Sequence, residues 1–381
     1  MVQLGIERLL EAERHHVAGR KAAVVTNYTM CDGQLAPVID RLQNAFPAEI
    51  AALFGPEHGV RSEAREGESV ESGTDEHSGL PVFSLYGEVR TPRPEMLAGL
   101  DVLIFDLQDI GSRYYTNLST LAAVMGACEQ AQVACLVLDR PNPISGRREG
   151  RLVQEGFTSF VGQLPVPARH GMTMGEMARW IRRTRLPGLD LSVVPLGGWE
   201  REMYLDETGL PFVPSSPNTT GVDMMTLYPG TCLAEGVNVS VGRGTAKPFE
   251  LIGAPYIDGF ALAQAFNRQD LEGIRARPVF FRPWRSEYAG KLCQGVQLHV
   301  TDRRRLSSWR AGITVLQAVH DLYPADFAFT APEHGRPFFD LLAGSAELGR
   351  SILEGRGPGF CEGEAPDLEQ FQQETAPDLL Y

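Results

Sequence analysis

Short, nearly unbroken apolar runs alternate with segments of helical period through residues 21–197. KAAVVTNYT (21–29), EIAALFG (49–55), LPVFSLYG (80–87), DVLIFDLQDI (101–110), VACLVLDRPNP (133–143) and LSVVPLG (191–197) read as strands. QLAPVIDRLQNAF (34–46), a short segment near 93–99, LSTLAAVMGACEQAQ (118–132) and HGMTMGEMARWIRRT (170–184) read as helices. In the last of these, Thr173 and Glu176 form a T-x-x-E capping box, and Met174, Met177, Ala178 and Ile181 share one face. Strands apolar along their whole length belong to a parallel sheet covered on both faces, so the pattern predicts an α/β, Rossmann-like domain.

The rhythm weakens at YPGTCLAEGVNVSVGRGTAKPFELIGAP (228–255) and changes after it, with GVQLHVTD (295–302) as a strand and WRAGITVLQAVHDLY (309–323) as a helix. The expected division is a mostly parallel catalytic domain over 1–254 and a smaller α+β domain over 255–381. The acidic GPGFCEGEAPDLEQFQQE (357–374) reads as a linker.

The chain has 381 residues and a formal net charge of −13. With no Lys/Arg-rich block, that balance argues against nucleic-acid binding. Six cysteines at 31, 128, 135, 232, 293 and 361 form no C-x-x-C spacing, and Cys128 and Cys135 sit in apolar context. No apolar run approaches the roughly 18 residues of a membrane span. The opening MVQLGIERLLEAERHH reads as an amphipathic helix without a signal-peptide core. As written the chain reads as cytoplasmic; with an export signal removed, a periplasmic or secreted protein would read the same.

Ligands of open parallel sheets bind outside the C-terminal strand ends. Here those ends are dense in polar chemistry: Asn27 after the first strand, Glu57 and His58 after the second, and Asp106, Gln108, Asp109, Arg113, Tyr114 and Thr116 after the 101–110 run. Asp139, Arg140 and Asn142 follow the 133–139 strand, and His170 precedes a helix. Nucleotide chemistry is not supported, because VVTNYTMCDG stands where a glycine-rich dinucleotide turn belongs and no G-x-x-x-x-G-K-[ST] occurs. No H-x-x-x-H or H-E-x-x-H pair suggests a metal, although a carboxylate-only Mg²⁺ or Ca²⁺ site stays open. There is no G-x-S-x-G elbow. No cofactor or metal is therefore expected, and carboxylate acid/base chemistry remains. The quartet P-E-H-G at 56–59 recurs at 332–335 without flanking similarity, which reads as chance.

FGPEHGVR, IFDLQDIGSRYYT, LDRPNPISG, HGMTMGE, SPN, YPGTCLAEGVNVSVGRGT, PFELIGAP and the terminal DLLY, in this order, resemble the DUF1343 family, which contains the exo-β-N-acetylmuramidases called NamZ. The resemblance implies a Rossmann-like domain without nucleotide, a smaller C-terminal domain and an active site between them. It implies removal of β-1,4-linked N-acetylmuramic acid from the non-reducing end of peptidoglycan fragments, with Glu57 as the catalytic glutamate. Within that frame Glu57 is the general acid, His58 its tuning neighbour, and Asp106 or Asp109 a second carboxylate; the substrate's own acetamido group is an open alternative. Arg113, Arg140 and Arg243 are candidates for the lactyl carboxylate. Asn27, Asn142, Asn218 and Asn238 are candidates for sugar hydroxyls, Tyr114 or Tyr115 for ring stacking, and Gln108, Asp139, His170 and Glu235 for further substrate contacts. Val237 and Val241 stand where the family pattern carries threonine and glutamate, which would remove polar groups near the site. The rival readings are a non-catalytic muropeptide- or sugar-binding protein and a metal-dependent hydrolase.

Overall fold

The computed structural model describes residues 1–64, 72–87, 89–333 and 335–381. His334, within the second P-E-H-G quartet, lies outside the described residues.

A seven-stranded sheet organises the first half. Its strands are β1 (Ala22–Val25), β2 (Ile50–Gly55), β3 (Gly73–Thr74), β4 (Pro81–Ser84), β5 (Val102–Phe105), β6 (Ala134–Leu138) and β7 (Leu191–Val194), in the order β3-β4-β2-β1-β5-β6-β7. All neighbours are parallel except β3 against β4. Every residue of β1, β5 and β6 is buried, which is why these runs carry no polar alternation. α1 (Gly5–Glu11) precedes the first strand, and α2 (Val38–Ala45), α3 (Pro94–Leu97), α4 (Thr116–Ala131) and α5 (Met174–Arg185) lie between strands. The capping box of α5 is present, Thr173 accepting from the Glu176 N–H. From β1 the chain steps outward through β2 to β4, then crosses to β5 on the other flank. This reversal opens a crevice at the C-terminal ends of β1, β2 and β5.

The second half begins with α6 (Val222–Thr231). It continues with β8 (Leu251–Ala254), α7 (Gly259–Asn267), β9 (Ile274–Phe281), β10 (Cys293–Val300), α8 (Ser308–Leu322), α9 (Phe338–Ala343) and α10 (Glu347–Leu353). β10 lies between β8 and β9 in an antiparallel sheet. Residues 251–254, read from sequence with the first domain, thus pair with 294–297. β9 was not legible as a strand because it contains Pro278 and alternates with arginines; it is an edge strand, where proline is tolerated. α6 and α8 cross at Gly230 and Gly312, where a Cβ on Gly230 would stand 1.7 Å from the Ser308 carbonyl oxygen.

The stretch expected as a linker is instead helical. A 3₁₀ turn at Gly357–Gly363 leads into α11 (Glu364–Thr375), which returns to the first domain. Its acidic residues have fixed partners: Glu364 accepts from the Gly150 N–H, and Asp367 from Arg151 Nε at 2.6 Å and the Leu152 N–H. Phe371 packs edge-on against Trp180 in the first core.

Two further contacts lock the halves together. Glu149 holds buried Arg169 and also accepts from Ser307 Oγ, Ser308 Oγ and the Trp309 N–H, so one carboxylate neutralises a guanidinium and caps α8. Arg113 donates to the carbonyls of Arg151, Val166 and Leu342. Among the described residues no helix is long and apolar enough to cross a membrane.

Candidate active site

The crevice at the sheet's C-terminal edge is closed from above by the second half, leaving a cavity of about 440 Å³. Its wall takes Asn27, Glu57 and His58 from the ends of β1 and β2, and Tyr114 to Asn117 from the approach to α4. Ser215, Ser216, Asn218 and Thr219 come from the loop before α6, and Tyr228, Glu235, Arg243 and Phe249 from the segment after it begins.

Glu57 sits in a tight loop. Gly59 N–H donates to the Pro56 carbonyl, and His58 and Gly59 both take left-handed backbone angles, φ 72° and 75°. Glycine does so freely and histidine under strain. His58 is held by a 2.8 Å hydrogen bond in which Nδ1–H donates to the Ala64 carbonyl. Glu57 Oε2 accepts from Thr116 Oγ1 at 2.7 Å. Thr116 is the first residue of α4, so the helix fixes where that hydroxyl points.

Across the cavity Glu235 accepts from Arg243 Nε at 2.7 Å, and the Arg243 guanidinium lies 4.9 Å from the centre of the Phe249 ring. Among the described residues, Glu57 and Glu235 are the carboxylates of the lining. Asn27 Oδ1 accepts from Thr29 N–H and Oγ1, which leaves its amide NH₂ as the group it offers to the cavity. Tyr115 Oη and Ser215 Oγ are 2.8 Å apart, and the Ser216 and Thr219 hydroxyls 2.9 Å. Burial pushes the Tyr115 phenol up to about 12, so it stays a neutral donor and acceptor. Tyr114, Tyr228 and Phe249 form an edge-to-face row behind the polar groups.

The remaining sequence candidates serve the frame. Asp106, 1% exposed, is paired with Arg140, and Arg140 also donates to the Cys31 carbonyl. Burial raises the Asp106 carboxyl while Arg140 pulls it down. Asp109 accepts from His170 Nε2 at 3.0 Å; His170 Nδ1 accepts from the Met172 N–H, which fixes the tautomer. Gln108 donates to the carbonyls of Asp109 and Pro141, and Asn142 braces Ile144 and Met172. Asn238 ties Asp326 and Ala328. Arg113, enclosed by backbone carbonyls, lies under the Tyr114 ring rather than in the cavity. Asp139 Oδ1 accepts from the Arg140 and Gly175 N–H groups, and Oδ2 from Thr173 Oγ1 and Tyr381 Oη. Val237 and Val241 pack in the second core, so neither withdraws a polar group from the cavity wall.

Sequence reasoning did not single out Tyr86, Asn117, Phe160, Thr219 and Tyr228 as cavity residues. Tyr86 and Phe160 form an aromatic pair with Arg90 over the Phe160 ring, a cluster of distant segments that no local pattern announces.

Residues 22–223 match the N-terminal family model described as exo-β-N-acetylmuramidase NamZ, and 226–381 match its C-terminal counterpart. Peptidoglycan β-N-acetylmuramidase NamZ of Bacillus subtilis (strain 168) is 41% identical over all of this chain and 91% of its own length. A DUF1343 family protein of Bacteroides fragilis superposes with a TM-score of 0.92 at 34% identity, covering 100% of this chain and 99% of its own. A second one from that organism gives 0.79 at 30% identity, with the same coverage. With its whole length matched in sequence and in fold, the chain belongs to the NamZ family of exo-β-N-acetylmuramidases.

Proposed function

We propose that the chain is a glycoside hydrolase that removes β-1,4-linked N-acetylmuramic acid from the non-reducing end of peptidoglycan-derived sugars, with Glu57 as proton donor. The observation that carries the reading is the position of Glu57: its carboxyl lines a cavity between the two halves, partly open to solvent, and is oriented by Thr116. Hydrolysis breaks the C1–O4 bond. The Glu57 proton goes to the departing oxygen, water adds at C1, and its surplus proton returns to a base. Glu235 is the carboxylate placed to steady positive charge at C1 or to take that proton, a role the sequence reading gave to Asp106 or Asp109. Glu235 is itself paired with Arg243; what separates it from Asp106 and Asp109 is that it lines the cavity and they do not. His58, strained and aimed by Ala64, holds the loop that carries Glu57.

Muramic acid differs from glucosamine by a lactyl ether that ends in a carboxylate. Arg243 is the guanidinium among the described residues of the cavity wall and is the group we assign to it. The test is hydrolysis of defined disaccharides with products identified by mass spectrometry. Release of free N-acetylmuramic acid from MurNAc–GlcNAc, with at least about 100-fold slower release of GlcNAc from GlcNAc–MurNAc, is expected. Arg243→Met should erase most of that preference. Equal rates on both sugars in the parent enzyme would contradict the assignment, and binding without turnover would favour a sugar-binding protein.

A further inference from the structure

The cavity, about 440 Å³, is partly open to solvent. An enzyme that cuts behind the terminal sugar has to seat the next sugar toward that opening. Three of the four tryptophans are buried: Trp180 1%, Trp199 4% and Trp309 0% exposed. Trp284 is 69% exposed. An indole in water gains nothing for the fold, so its surroundings matter.

Trp284 sits in the loop between β9 and β10, and that loop is tightly held. The Trp284 backbone N–H donates to the Gly244 carbonyl at 3.0 Å, the Gly290 N–H to the Pro283 carbonyl at 2.7 Å, and Tyr288 Oη to the Asn238 carbonyl at 2.8 Å. Ser286 and Tyr288 take left-handed angles, φ 66° and 58°, a strained arrangement for residues with a side chain. The loop is pressed against the segment that carries Arg243: a Cβ on Gly244 would stand 2.7 Å from the Arg285 nitrogen. Arg285 spans the gap to the cavity. Its guanidinium lies 5.3 Å from the centre of the Trp284 ring, and Nη2 donates to Asn218 Oδ1 at 3.1 Å, a residue of the cavity wall. Arg285 thus touches both the exposed indole and a residue of the cavity wall.

We propose that Trp284 is the platform for the sugar that leaves, the N-acetylglucosamine ring attached through the scissile bond. The axial C–H face of a pyranose is weakly apolar and suits the face of an indole, while Arg285 fixes the ring plane against the rim. The inference rests on the glycosidase reading above. It makes Trp284 a determinant of which leaving group is accepted and leaves the terminal-sugar site untouched.

The test compares two substrates: the MurNAc–GlcNAc disaccharide, and β-N-acetylmuramyl fluoride, whose leaving group is a single atom. For Trp284→Ala, kcat/KM on the disaccharide should fall about tenfold, with the fluoride changed by less than about twofold and the thermal midpoint unmoved. Trp284→Gln should behave alike, and Trp284→Phe should keep most of the disaccharide activity. Equal losses on both substrates, or no loss on either, overturn the proposal. An altered gel-filtration volume with unaltered kinetics overturns it too, because the indole then serves a protein contact. Hydrolysis of neither substrate by the parent enzyme overturns the glycosidase reading itself, and this proposal falls with it.

Discussion

Thr116 and Asp139 show how single side chains divide between chemistry and frame. The Thr116 hydroxyl fixes one oxygen of Glu57 at 2.7 Å. Thr116→Val keeps the shape and removes the donor, so kcat should fall about tenfold with KM within about twofold, and Thr116→Ser should restore most of it. A parallel rise in KM would show a binding role instead. Asp139 is an acid whose partners are all donors, yet burial pushes its carboxyl up to about 7 from 3.8. Below pH about 4 both folded and unfolded chains hold this proton. Between about 4 and 7 the unfolded chain releases it first, so stability falls as pH rises through that window. Asp139→Asn resembles the protonated form. Its melting temperature relative to the parent should therefore rise from pH 4 to pH 8, and a constant difference would contradict this. Neither role was legible from neighbours in sequence. A carboxylate after a strand reads the same whether it faces a cavity, as Glu57 does, or a guanidinium 34 residues on, as Asp106 does. Glu57 stood out because its loop chemistry is local, with His58 and Gly59 adjacent. The Arg113 carbonyl partner at Leu342 lies 229 residues away, beyond any local signal.

Strands buried on both faces announced themselves, and half-buried ones did not. β1, β5 and β6 are legible as unbroken apolar runs, while β9 alternates buried and exposed residues around a proline. α11 was hidden for the opposite reason. Its hold on the first domain comes from acidic side chains paired with Arg151 and backbone N–H groups, with Phe371 as its fully buried apolar anchor. The α6–α8 crossing was hidden too, since a glycine needed for close approach looks like one needed for a turn. Gly230→Ala should test it: the added methyl meets the Ser308 carbonyl and has no flexible neighbour to displace. A loss of about 3 kcal/mol or more in denaturant unfolding is expected. A change below about 1 kcal/mol would mean that the helices separate readily.

At the level of the whole molecule, the cavity exists because two halves meet over one sheet edge. The meeting is enforced by buried charge as much as by apolar packing: Glu149 joins Arg169 to the start of α8, and Arg113 reaches α9. Neither half encloses the site alone, since Glu57 comes from one and Glu235 and Arg243 from the other. The general position of such a site was legible from the strand ends. Its second carboxylate was not, because pairing the two halves is a long-range event. The most direct test of the account is Glu57→Gln assayed on the MurNAc–GlcNAc disaccharide by NMR, with thermal unfolding alongside. The account predicts an unchanged melting temperature and a kcat lower by about 1,000-fold or more. A correctly folded variant that turns over at the parent rate would contradict it.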